Sequence, residues 1–114
     1  MTQQDRECYR FGPFALEVKE RELRRGDEVV PLSGKAFDLL LTLVRDAGQT
    51  VTKSQLMTSL WPDTAVEEGN LTQTVFVLRK ALGEDAAYIR TLPRQGYRFI
   101  APVSVEGVPA EARV

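Results

Sequence analysis

The stretch Asn70–Gly83, NLTQTVFVLRKALG, constrains the fold more than any other part of the chain, because helical periodicity marks two of its sides. Leu71, Val75, Leu78 and Leu82 form one buried stripe, within roughly 60° of each other at about 100° per residue. Phe76 and Val77 fall at about 140° and 240° from Leu71, on the side shared by Gln73 and Lys80. A helix that fills a core stripe and still sets two large apolar residues opposite needs a second surface to meet. The outward side is therefore the first candidate for function.

The 114 residues suit one domain, with or without a tail. An apolar content of 43% supports a single core, and 27% charged residues are ordinary for a folded soluble chain. No run approaches the length of a membrane span, and MTQQDRECYR has no signal-peptide core, so the expected location is the cytoplasm. There is no histidine, and Cys8 is the single cysteine. That removes the Cys–His nucleophile, the usual zinc sites and the commonest general base. Gly34-Lys35 is followed by Ala36, and position 29 is Val rather than Gly, so this is no phosphate loop. Neither an enzyme nor a cofactor or metal is expected.

Short strands are expected over residues 9–32, where Phe14, Leu16 and Val18 alternate with Ala15, Glu17 and Lys19 and Gly26-Asp27 signals a turn. Three or four antiparallel strands fit. A first helix follows Ser33 as N-cap, with Phe37, Leu40, Leu41 and Val44 on its stripe and its end before Gly48. Thr52-Lys53-Ser54-Gln55 is a capping box, and Val51 with Leu56 makes a hydrophobic staple for a second helix that stops at Trp61-Pro62. Thr64 and Asn70 compete as starts of the third helix. Tyr88–Leu92 and Tyr97–Ala101 then flank Pro93-Arg94-Gln95-Gly96 as a hairpin with a four-residue loop. Residues 1–8 are expected as a flexible N-terminus, 9–103 as the domain and 104–114 as a linker or disordered tail.

Two short helices joined by a tight turn make a helix-turn-helix, and a basic hairpin directly after it makes a wing. Residues 69–103 hold Arg79, Lys80, Arg90, Arg94 and Arg98 against Glu84 and Asp85, a net +3 that leaves −4 for the rest. Such clustering matters more for nucleic-acid binding than the total charge does, while charge alone fits a solvated face as well. Near the start of the third helix, Thr72, Gln73 and Thr74 have the chemistry to read base edges, Gln by a bidentate bond to adenine. Phe76 and Val77 suit thymine methyls or another protein.

The segments LSGKAFDLLLTLVRDAGQTVTKSQLMTSLWPD, NLTQTVFVLRKALGED and YIRTLPRQGYRF resemble the OmpR/PhoB-type winged helix-turn-helix DNA-binding domain of bacterial transcription regulators, over roughly residues 9–103. The resemblance implies an α+β fold with an N-terminal antiparallel four-stranded sheet, three helices and a C-terminal β-hairpin wing. It implies that Gln73, Thr74 and Val77 face the major groove and that Thr72 and Arg79 lie near base and backbone contacts. Trp61 and Tyr97 match positions that touch phosphates or brace them, and Arg94 matches a wing tip at the minor groove. Asn70, Lys80 and Gln95 complete the expected DNA-binding set with Phe76. Positions 76 and 77, often Arg in better-known members, depart from the pattern.

The implied partner is double-stranded promoter DNA, bound head-to-tail on direct repeats, with RNA polymerase a candidate second partner. The first strand begins close to Met1, an arrangement similar to that of CadC/ToxR-like regulators. A C-terminal sensory, repeat or membrane-anchored region is expected in the full-length protein, which would tether the domain to the membrane if anchored. The alternative is a winged-helix interaction module that has lost DNA binding and docks a partner on Phe76 and Val77.

Overall fold

The computed structural model describes residues 7–83 and 87–106. The chain runs β1 (Cys8–Phe11), β2 (Phe14–Glu17), β3 (Glu22–Arg25), β4 (Glu28–Val30), α1 (Gly34–Arg45), β5 (Thr50–Thr52), α2 (Lys53–Leu60), α3 (Glu68–Leu82), β6 (Ile89–Leu92), β7 (Gly96–Phe99) and β8 (Ser104–Glu106). It divides into two compact units, residues up to Pro31 with those from Pro102, and Leu32–Ala101.

The first unit is an antiparallel sheet of five strands in the order β4-β3-β2-β1-β8. Gly26, at φ +61°, makes the tight β3–β4 turn that Gly26-Asp27 signals. Tyr9, Leu16 and Leu23 stand opposite one another across three strands and are all buried. Two boundaries shift. Cys8 is buried and opens β1, inside the segment expected to be flexible; residues 1–6 of that segment lie outside the described residues. Ser104–Glu106, expected to begin a linker, form a fifth strand on β1. Main-chain groups alone make that pairing, so a small polar sequence can cover an open sheet edge without apolar alternation to announce it. Residues 107–114 lie outside the described residues.

In the second unit, three helices pack together beside a sheet of order β5-β7-β6. Ser33 caps α1, its hydroxyl accepting the Ala36 N–H at 3.1 Å. The buried side of α1 comprises Ala36, Phe37, Leu39, Leu40, Leu43 and Val44, whereas Leu41, expected on the stripe, is half-buried. The buried arc is wide, and a narrow stripe drawn from periodicity misplaces its edge. At α2, Thr52 Oγ1 accepts the Gln55 N–H at 3.1 Å and Gln55 Oε1 accepts the Thr52 N–H at 2.9 Å, completing the capping box. Val51 and Leu56 are buried as the staple requires. Val51 lies in β5 and pairs with Tyr97 of β7; β5 has three residues, too few to show a period. The Lys35 ammonium donates to the Leu60 carbonyl at the end of α2, taking up one of that helix's orphan acceptors.

The connection between α2 and α3 is seven residues, Trp61–Glu67, and not a tight turn. Neither expected start is the start of α3. Glu67 is its N-cap with no side-chain bond, and Asn70 lies in the first turn, Nδ2 donating to the Glu67 carbonyl at 3.2 Å. Instead Glu68, the first helical residue, receives the Lys53 ammonium at 2.6 Å, and an acidic group there favours the helix dipole. Leu71, Val75, Leu78 and Leu82 are all buried. Each such burial stabilises by about 1.5–3 kcal/mol.

The β6–β7 hairpin closes through Pro93-Arg94-Gln95, a loop of three residues, because Gly96 pairs with Leu92 inside the ladder. Gln95 N–H donates to the Leu92 carbonyl at 2.9 Å, and Arg94 takes φ +67°. Proline followed by a left-handed residue is the pattern of a type II turn. Gly96 has a different reason to be glycine. A Cβ there would stand 2.0 Å from the Val51 carbonyl oxygen, so β5 and β7 approach too closely for any side chain.

Candidate nucleic-acid interface

The outward side of α3 is built by the burial of its opposite stripe. With Leu71, Val75, Leu78 and Leu82 turned into the unit, Asn70, Thr72, Gln73, Phe76, Val77 and Lys80 are exposed. Phe76 is 54% and Val77 39% exposed. The Lys80 Nζ lies 5.3 Å from the Phe76 ring centroid, an i,i+4 cation–π pair that covers one face of the ring. Thr74 is half-buried, its hydroxyl donating to the Asn70 carbonyl at 2.7 Å, and Thr72 Oγ1 reaches the Glu68 carbonyl at 3.5 Å. Gln73, exposed in the second turn, keeps its whole amide for a partner from outside.

The hairpin tip is tied to the start of α2. The Lys53 backbone N–H donates to the Gln95 carbonyl at 3.1 Å, while the Lys53 side chain holds Glu68. One residue therefore joins α2, α3 and the hairpin loop, and its role escaped the sequence because both partners are distant along the chain. The hydrogen bond to Glu68 raises the Lys53 ammonium above its ordinary 10.5. Arg94 and Gln95 project from the loop with exposed side chains.

The expected contact residues separate into two groups. Asn70, Thr72, Gln73, Phe76, Val77, Lys80, Arg94 and Gln95 are exposed. Trp61 is half-buried with the Lys35 ammonium 5.5 Å from its ring, and Tyr97 is only 5% exposed. Tyr97, on β7 opposite Val51 of β5, has almost no surface to offer. Arg79 is half-buried, and its Nη2 donates to the Ile89 carbonyl at 2.9 Å and to Thr91 Oγ1 at 2.7 Å. Arg98 donates to Thr50 Oγ1 at 2.8 Å from a half-buried position. Of the five cations in the basic segment, Lys80, Arg90 and Arg94 are exposed. Phe76 also borders a groove of ≈ 360 Å³ whose other walls include Leu82, Tyr88 and Ile89.

The family described as "Transcriptional regulatory protein, C terminal" matches residues 26–99. The transcriptional regulator HilA of Salmonella typhimurium is 38% identical over 102 residues, which cover 88% of this chain and 18% of HilA. The chain thus spans under a fifth of that relative's length. Among solved structures, the DNA-binding domain of E. coli CadC superposes with a TM-score of 0.78 at 24% identity, over 88% of this chain and 97% of that one, a likeness of fold. The Klebsiella pneumoniae RstA DNA-binding domain, solved in complex with RstA box, superposes with a TM-score of 0.70 at 26% identity, over 82% and 96% of the two chains.

Proposed function

The chain belongs to the family of transcriptional regulatory protein C-terminal domains, the OmpR/PhoB-type winged helix-turn-helix domains, and from that premise we propose that it binds double-stranded promoter DNA in a sequence-specific manner. In this reading α3 lies in the major groove and the Pro93-Arg94-Gln95 tip meets the minor groove or the backbone beside it. One observation supports it above the others: α3 exposes Thr72, Gln73, Phe76 and Val77 opposite a fully buried stripe. Gln73 offers a bidentate amide to adenine, and Val77 and Phe76 offer apolar surface to thymine methyls. Lys80, Arg90 and Arg94 supply phosphate-seeking charge at the helix end and on the hairpin. The RstA domain's complex with its box supports the same use of the fold.

The reading extends to two copies bound head-to-tail on direct repeats, to RNA polymerase as a further partner, and to a longer regulator carrying a C-terminal sensory, repeat or membrane-anchored part. That this chain spans 18% of HilA supports the last of these. No helix among the described residues is long and apolar enough to cross a membrane.

The test is selection of bound fragments from genomic DNA, followed by titration of one selected duplex and one random duplex at several salt concentrations. The expected result is tighter binding to the selected duplex, with affinity falling steeply as salt rises. Equal, salt-insensitive binding to both would overturn it. It would favour instead the interaction-module reading, for which the exposed Phe76 beside its groove is the supporting observation.

A further inference from the structure

Among the described residues β6 is an edge strand, paired with β7 on one side only. The Ile100 N–H donates to the Tyr88 carbonyl at 2.9 Å, and Ile89 pairs with Phe99. Because hydrogen-bonded and non-bonded pairs alternate along an antiparallel ladder, the Ile89 carbonyl points away from β7, to the open edge. Arg79 meets it there. The same Nη2 also donates to Thr91 Oγ1, two residues further along β6. Both N–H groups of that nitrogen are therefore spent on one strand. Arg79 itself is half-buried on α3, next in sequence to the buried Leu78.

We propose that Arg79 is a positioning residue that locks the wing strand to the reading helix, so that it serves the DNA interface through β6 rather than by holding a phosphate. A guanidinium is a rigid planar fork, and sliding or swinging β6 against α3 breaks at least one of its two charge-assisted bonds. β6 leads directly through Leu92 to the loop that carries Arg94. That loop is anchored from the other side by the Lys53 N–H on the Gln95 carbonyl. Arg79 and Lys53 together set where Arg94 stands relative to Gln73. The inference rests on α3 and the hairpin being the DNA interface.

The experiment is a double-mutant cycle on binding of the purified domain to a duplex selected by the wild-type chain, with melting temperature measured for every variant. Wild-type chain that binds no duplex would overturn the function proposed above, before any variant is made. Given wild-type binding, Thr91→Val and Arg94→Ala are each expected to weaken it roughly fivefold to tenfold, and the double variant to be about as weak as the worse single one. Arg79→Lys keeps the charge but not the fork, and is expected to behave like Arg79→Ala. In an Arg94→Ala background, Arg79→Ala should leave the salt slope unchanged. Rescue by Arg79→Lys, a neutral Thr91→Val, or a further drop in slope of about one contact in the Arg94→Ala background would each overturn the proposal and make Arg79 a direct phosphate ligand. Should Arg79→Ala fail to fold, the Thr91→Val and Arg94→Ala pair decides by itself, full additivity sinking the strut.

Discussion

Lys53 Nζ lies 2.6 Å from Glu68 Oε2, so a single ion pair joins the first residue of α2 to the first residue of α3 across the long connecting loop. The pair is exposed, and its hydrogen bond lifts the lysine above 10.5. A lysine raised in the folded state contributes stability that is complete below its unfolded value and is lost as pH rises through the folded one. The melting temperatures of wild type and Glu68→Gln should therefore differ by a small, constant gap from neutral pH up to 10.5, closing at higher pH. Added salt should shrink the same gap at neutral pH. A gap that persists undiminished above that pH would show that Glu68 stabilises α3 through the helix dipole, without Lys53.

Gly96→Ala should be among the most damaging single changes. Its Cβ would overlap the Val51 carbonyl at 2.0 Å and the Thr52 Cα at 2.8 Å, both backbone atoms that cannot rotate away. The expected loss is at the top of the roughly 1–3 kcal/mol typical of overpacking, or beyond it. Denaturant unfolding measures it directly.

Arg94 carries a left-handed backbone that glycine adopts freely and arginine does not. Such a residue costs about 1–2 kcal/mol, part of which Arg94→Gly recovers before the entropy of glycine is counted. Arg94→Gly is thus expected to keep or slightly raise the melting temperature while weakening DNA binding. Arg94→Ala keeps the strain and loses the charge. If both bind DNA as the wild type does, the wing tip is not at the interface.

Gln73→Ala should cost about 1–3 kcal/mol on the selected site and relax preference at a single base pair. Competition between a set of single-base variants of the site reads this out. A uniform loss on all of them would move Gln73 from base reading to backbone contact or structure.

Phe76→Ala and Val77→Ala should each change stability by no more than about ±0.5 kcal/mol, since both side chains lie outside the core stripe. Weakened binding on thymine-bearing sites is expected for both. Unchanged DNA affinity together with lost transcription in cells would assign Phe76 and its groove to a protein partner.

Local signals and long-range ones differed sharply in how well they could be read. Ser33, the Thr52–Gln55 box and the four-residue stripe of α3 all act within a turn or two of chain, and each stands where periodicity and capping chemistry put it. The exposure of Phe76 and Val77 follows from the same arithmetic. What could not be read depends on partners far along the chain. The start of α3 is set with Lys53, fifteen residues earlier. Strand β5 exists because β7 comes back to it, and Arg98 reaches Thr50 across 48 positions. Arg79 shows the same limit within the candidate site: its sequence neighbourhood points at DNA, while its nearest acceptors belong to β6.

The β8 pairing has a mechanical consequence. Cys8 faces Glu106 across the β1–β8 ladder, so the described path enters and leaves the sheet at one corner, on adjacent antiparallel strands. A pull applied between those two points would open that ladder one rung at a time, as a zipper opens, instead of shearing all its rungs together. Three residue pairs would yield in succession, and the β1–β2 ladder would then take up the load. Traction on the flanking chain is thus met first by the rung at Cys8 and Glu106, which makes β8 the weak link of this sheet under tension.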